Sequence, residues 1–190
     1  MKYTKVIQKP YCCVGACMEM ILNRNNILNG GQVDIACKLG LTVPEEYKDM
    51  FPNAIFGSKP SAGYGTQIQK EEYSINNFFK SNAINLIEEY YFITSEKETK
   101  KFLLKNIEND ILVCCHCATL YDSPHADWGH MLLVENIVGN NVILLDPGAH
   151  RNYEKIALKQ LVKSIIVHGK NNGAGFYLIK KHNKNIKKED

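Results

Sequence analysis

Between Val14 and Leu22 the apolar residues fall at helical spacing. Val14, Cys17, Met18, Ile21 and Leu22 share one face, with Cys13, Cys17 and Met20 on a neighbouring line. Gln8 and Lys9 lead in as an extended entry with a turn at Pro10, so the spacing predicts a helix over about 13–23. Residues 3–7 read as a short edge strand, and Asn23 to Gly31 as a polar connection. Val33 to Leu39 reads as a short helix ending near Gly40. From 42 to 66 the pattern dissolves around Pro44, Pro52, Pro60, Gly57, Gly63 and Gly65, with aromatics between them. Such irregular stretches often form one wall of a cleft. Tyr73 to Phe79 has helical spacing, and Ala83 to Ile93 fits either a helix ending or a strand. Ser95 is placed to cap a helix to about Asn106, with Glu98 at the capping-box position and Phe102, Leu103 and Ile107 buried.

The second half changes period. Ile111 to Cys117 is apolar but for His116 and reads as a central strand. His130 to Val138 and Val142 to Leu145 read as two strands around the tight turn Gly139-Asn140-Asn141, a strong hairpin signal. Asp146-Pro147-Gly148 closes the second. Tyr153 to Ile165 reads as a helix and Gly175 to Ile179 as a last strand. A helical first half followed by antiparallel strands predicts an α+β fold, its N-terminal helix packed on the sheet.

Composition narrows the picture. With 190 residues, 45% of them apolar, the chain has material for one sizeable core. The reading is a single domain over 1–182 with a flexible basic tail over 183–190. There is no internal repeat, no stretch long enough to span a membrane and no secretion signal after Met1. Seven cysteines in tight clusters, at 12, 13, 17, 37, 114, 115 and 117, point to a reducing, cytoplasmic setting rather than a disulfide scaffold. The net charge of +3 lies largely in the tail and has no interleaved aromatics, which argues against a nucleic-acid partner.

The chemistry gathers at three places. Cys13 enters the first turn of a helix, where the backbone dipole favours a thiolate. Cys12 is in phase with Ala16, Glu19 and Asn23, a more polar face. The hairpin sets His130, at the start of one strand, beside Asp146 at the end of the other. The imidazole can then take a thiol proton while the carboxylate holds the other ring nitrogen. Gln8 and the backbone N–H of Cys13 supply two donors for an oxyanion. Thiol, imidazole and acid in that chain order are the parts of an acyl-transfer enzyme.

A glutamine ahead of Cys-x-x-x-Cys-x-x-Met (Gln8, Cys13, Cys17, Met20), then Gly129-His130 with Val134, then Asp146-Pro147-Gly148, resembles the papain-like cysteine peptidases of the bacteriocin-processing, C39-like group. The resemblance implies a papain-like fold, with Cys13 as nucleophile, His130 as general base, Asp146 as its orienting acid and Gln8 in the oxyanion hole. It implies a peptide or protein substrate and no cofactor. The order of elements also resembles the guanylyl-cyclase-domain proteins of the same fold, through Val33-Asp34-Ile35-Ala36, a Gly/Tyr-rich middle and a Gly-His strand. No paired metal-binding carboxylates of a cyclase accompany it. Val14 stands where the family has glycine, with Gly15 one place later.

Other residues carry two readings. Cys115 and Cys117, with Cys12 or His125, are possible zinc ligands or plain strand packing. Trp128 either covers the cleft or plugs the core. Asp122 is an alternative acid. The expected activity is thiol-dependent hydrolysis of a peptide or isopeptide bond. Acyl transfer from the same intermediate and a non-catalytic, zinc-binding module are its alternatives.

Overall fold

The computed structural model describes residues 1–61 and 63–182, so the basic tail 183–190 lies outside the described residues. In chain order the elements are α1 (Cys13–Arg24), α2 (Gly31–Lys38), β1 (Thr42–Val43), β2 (Ile55–Phe56), α3 (Ile75–Ser81), β3 (Leu86–Tyr91), α4 (Glu96–Asn106), β4 (Asp110–His116), α5 (Cys117–Tyr121), β5 (Gly129–Val138), β6 (Asn141–Leu145), β7 (Tyr153–Ala157), α6 (Leu158–His168) and β8 (Gly175–Lys181). Six strands form an antiparallel sheet in the order β3-β8-β4-β5-β6-β7. This is the α+β, papain-like arrangement, with α1 packed on the sheet.

Strand alternation sorts the core into two halves. Leu112, Cys114, Met131, Leu133, Leu145, Tyr177 and Ile179 face α1 and α3, meeting Cys17, Met18, Ile21 and Phe78. The intervening Ile111, Val113, Cys115, Leu132, Val134, Leu144 and Phe176 join Phe102 and Leu103 of α4 and Leu161 and Ile165 of α6. Both faces are covered, so β4 reads in sequence as a continuous apolar run rather than an alternating one. Among the described residues no helix is long and apolar enough to cross a membrane.

Three local expectations change. Residues 3–7 form no strand. Side chains tether the segment instead: Tyr3 Oη donates to Asp110 Oδ1 at 2.8 Å, Lys5 Nζ to Gly148 O at 2.8 Å and Tyr153 Oη to Tyr3 O at 3.0 Å. The expected helix over 153–165 is split. Its first five residues pair with β6 from Leu145↔Tyr153 to Asn141↔Ala157, because that strand's outer edge needs partners. Helical burial starts at Leu158. The expected strand to Cys117 stops at His116, whose ring caps α5 by accepting from Thr119 N at 3.3 Å. Ala83 to Ile93 resolves as the strand β3, and the helix expected over 73–79 begins at Ile75 behind its Ser74 cap. Ser95 caps α4 as expected, accepting from Glu98 N at 3.4 Å.

Gly15 sets how close α1 comes to α2. A Cβ there would stand 2.3 Å from the carbonyl oxygen of Gln32 and 2.9 Å from Ala36 Cβ. Gly15→Ala must push the helices apart, and is expected to destabilise by about 1–3 kcal/mol. A lowered denaturant midpoint with an unchanged slope is the expected result, and an unchanged midpoint contradicts the packing described.

Candidate active site

Cys13 is brought to the head of α1 by a turn in which Cys12 N donates to Lys9 O at 3.0 Å. Pro10 and Tyr11 occupy its centre, and Tyr11 takes φ +61°, a conformation that a residue with a Cβ adopts at a cost of about 1–2 kcal/mol. Its ring is braced by Tyr47 at 5.1 Å, edge-on, and by Tyr64 at 5.9 Å. The irregular stretch expected to form a wall holds the turn that delivers Cys13. The N-cap residue Cys12 makes no side-chain cap bond. The first N–H groups of the helix are therefore left for other partners.

His130 and Asp146 come from neighbouring strands. His130 pairs with Cys115 across β4–β5, and Leu133 with Leu145 across β5–β6. Continuing the second register sets Asp146 opposite Leu132, so the two residues are diagonal neighbours on one side of the ladder. Their side chains meet, His130 Nε2 to Asp146 Oδ1, at 2.9 Å. They are 7% and 1% exposed. Asp146 Oδ1 also accepts from Gly148 N at 2.7 Å, an Asx turn made by Asp-Pro-Gly. Tyr121 Oη donates to Asp146 Oδ2 at 2.5 Å. With Nε2 committed to the carboxylate, the ring offers its other nitrogen to the Cys13 thiol, its hydrogen-bond partner.

The electrostatics follow from these contacts. Burial opposes ionisation of Cys13, but the hydrogen bond and charge of His130 and the N–H groups of Met131 and Val14 outweigh it, so the thiol lies below its ordinary value. Burial likewise opposes an imidazolium at His130, yet Asp146 and Cys13 together hold it up at about 9. Asp146 is held at about 2, burial being overcome by His130, Tyr121 and the Gly148 N–H. The arrangement favours a thiolate beside an imidazolium.

Gln8 is fixed at the same end of the molecule. Its N–H donates to Pro147 O at 2.8 Å, next to Asp146. Gln32 of α2 clamps the backbone on both sides of it: Lys9 N donates to Gln32 Oε1 at 2.6 Å and Gln32 Nε2 to Ile7 O at 2.9 Å. The side-chain Oε1 of Gln8 is buried without a hydrogen-bond partner.

Cys12 departs from expectation. It is fully buried among Ala36, Leu41, Val43 and Phe51, not on a polar face, because α2 and the segment after it cover that side of α1. Burial pushes its thiol up to about 12. Cys115 lies in the α6-side core, where burial puts it at about 12. Burial likewise lifts Cys117, at the start of α5, to about 11. These and Cys12 do not converge with His125, and among the described residues no group of three or more His, Cys, Asp or Glu is placed to hold a metal ion. Asp122 is exposed at the left-handed end of α5 and Trp128 is 56% exposed, so the latter is no core plug. Tyr121 and Gln32 escaped the sequence reading: each lies on a helix of ordinary composition, and only the fold brings them to the site.

No protein-family model and no curated protein sequence matches the chain. Among solved structures, one described as a C39-like peptidase from Bacillus anthracis is similar, with a TM-score of 0.59 and 13% identity over 94% of both chains. A double-glycine-motif protease from an AMS/PCAT transporter, solved with a leader peptide, has a TM-score of 0.52 and 14% identity over 95% of this chain and 92% of that one. The chain therefore shares the fold of C39-like peptidases.

Proposed function

We propose that this chain is a thiol hydrolase that cleaves a peptide or isopeptide bond through an acyl-enzyme. The observation that carries the reading is the continuous line Cys13–His130–Asp146, with a thiol shifted down and an imidazole shifted up. Cys13 Sγ attacks the scissile carbonyl carbon. His130, charged at that moment, gives its proton to the leaving amine nitrogen and then takes one from the water that hydrolyses the thioester. Asp146 keeps the ring oriented and its charge compensated. The oxyanion is met by the Cys13 backbone N–H and by Gln8. A half-turn of the Gln8 amide exchanges the unpartnered Oε1 for its NH₂ without changing shape, presenting a donor.

The pH dependence has a definite sign. Below the lowered Cys13 value the thiol is protonated, and above about 9 the imidazolium is lost, so the thiolate–imidazolium pair exists between these limits. At pH 6.5, where an ordinary thiol of pKa about 8.5 is roughly 1% ionised, iodoacetamide should alkylate Cys13 faster than such a thiol. The rate should step again near the upper limit as the sulfur loses its charged partner. Peptide mapping by mass spectrometry identifies the labelled residue. Alkylation following one ordinary thiol titration overturns the reading.

A further inference from the structure

We propose that Tyr121, with Arg151 stacked on its ring, is a positioning pair that sets how much of the Asp146 charge reaches His130. This rests on the function proposed above and assigns a role to two residues that it leaves unused. The carboxylate of Asp146 is buried, and its two oxygens are used differently. Oδ1 serves the imidazole and Gly148 N, whereas Oδ2 takes the Tyr121 hydroxyl at 2.5 Å. A donor on Oδ2 draws negative charge away from Oδ1 and weakens the hold on the imidazolium. It also fixes the plane of the carboxylate, because rotation would break three bonds at once.

Arg151 acts on the donor. Its guanidinium carbon lies 3.5 Å from the centre of the Tyr121 ring. A cation on the ring face strengthens the phenol as a donor and pins the ring. Arg151 stands in the turn that begins at Asp146, with Arg151 N on Gly148 O at 3.3 Å and its own carbonyl held by Lys5 Nζ. Tyr121 arrives from α5, at the end of β4. The pair thus joins two separate segments around one carboxylate. Arg151 Nη1 also lies 3.9 Å from Glu154 Oε1.

Tyr121→Phe removes the hydroxyl and keeps the ring. The upper inflection of the iodoacetamide profile of Cys13 is expected to rise by about one pH unit, a tenfold gain in the hold on the His130 proton. Arg151→Met is expected to move it the same way by a smaller amount. A role confined to stability lowers the melting temperature and leaves both inflections where they are. If the unsubstituted protein shows the two-step profile and Tyr121→Phe superimposes on it, the pair does not tune His130. If the unsubstituted protein lacks two steps, the hydrolase reading itself fails. Should Tyr121→Phe not fold, by near-ultraviolet circular dichroism, Arg151→Met decides alone: an upward shift supports the pair and none overturns it.

Discussion

Cys13→Ser is expected to abolish turnover, by at least about a thousandfold, while Cys12→Ser costs at most a few-fold. The two sulfurs are adjacent in sequence and opposite in environment. Cys13 is partly exposed, shares a hydrogen bond with His130 and is shifted toward the thiolate. A serine hydroxyl in its place is far less acidic than the thiol, so the imidazole has no charged nucleophile to pair with. Cys12 is enclosed by apolar side chains, where a thiolate is strongly disfavoured. A serine there buries a hydroxyl, at a cost of about 1–3 kcal/mol. Part of that is offset, since Cys12 is the N-cap of α1 and serine caps well. Cys12→Ser should therefore show in stability and scarcely in rate. Single-turnover acylation by an activated peptide ester separates the two. Activity kept in Cys13→Ser and lost in Cys12→Ser overturns the assignment.

Asp146→Asn is expected to lower kcat/KM by about a hundredfold and to move the alkaline limb down from about 9 toward the ordinary histidine value of about 6.5. From sequence alone the amide is expected to turn a donor toward the imidazole. The structure changes that expectation. Gly148 N–H points at the same oxygen as His130 Nε2, so an asparagine must place its carbonyl there and its NH₂ toward Tyr121. The Tyr121 hydroxyl can rotate to accept it. The tautomer survives and the negative charge is lost, which identifies the alkaline limb as the informative readout. The sign is opposite to that expected for Tyr121→Phe. An unchanged limb and unchanged kcat/KM mean that Asp146 does not act on His130.

Much of this geometry was legible because short-range signals coincide with it. The helical spacing behind Cys13, the Gly139-Asn140 turn and Asp-Pro-Gly place the thiol, imidazole and acid at element ends. Only the β5–β6 register shows that His130 and Asp146 meet diagonally. The split of 153–165 was hidden because Tyr153, Ile156, Ala157 and Leu161 fall on one face at helical spacing, so the residues of the strand continue the pattern of the helix that follows. The β6 edge, a long-range feature, decides for β7. Cys12 was misplaced for the same reason: helix phase says which way a side chain points, not what α2 and residues 41–51 lay over it. Tyr121 and Gln32 act through contacts 25 and 23–25 residues away in sequence, beyond any local pattern.

The position of β8 bears on how the molecule is assembled. It is the last in sequence of the strands among the described residues, yet it lies between β3 and β4 and supplies Phe176 and Leu178 to one half of the core and Tyr177 and Ile179 to the other. While the chain is being translated, β3 and β4 must wait with unpaired backbone edges until residues 175–181 emerge. Hairpins such as β5–β6 can close early, because their ends are near in sequence. The central ladder cannot. Complete folding is therefore deferred until residues 175–181 have been made, and until then the nascent chain carries open edges on β3 and β4 of the kind that chaperones cover and that drive aggregation when left bare.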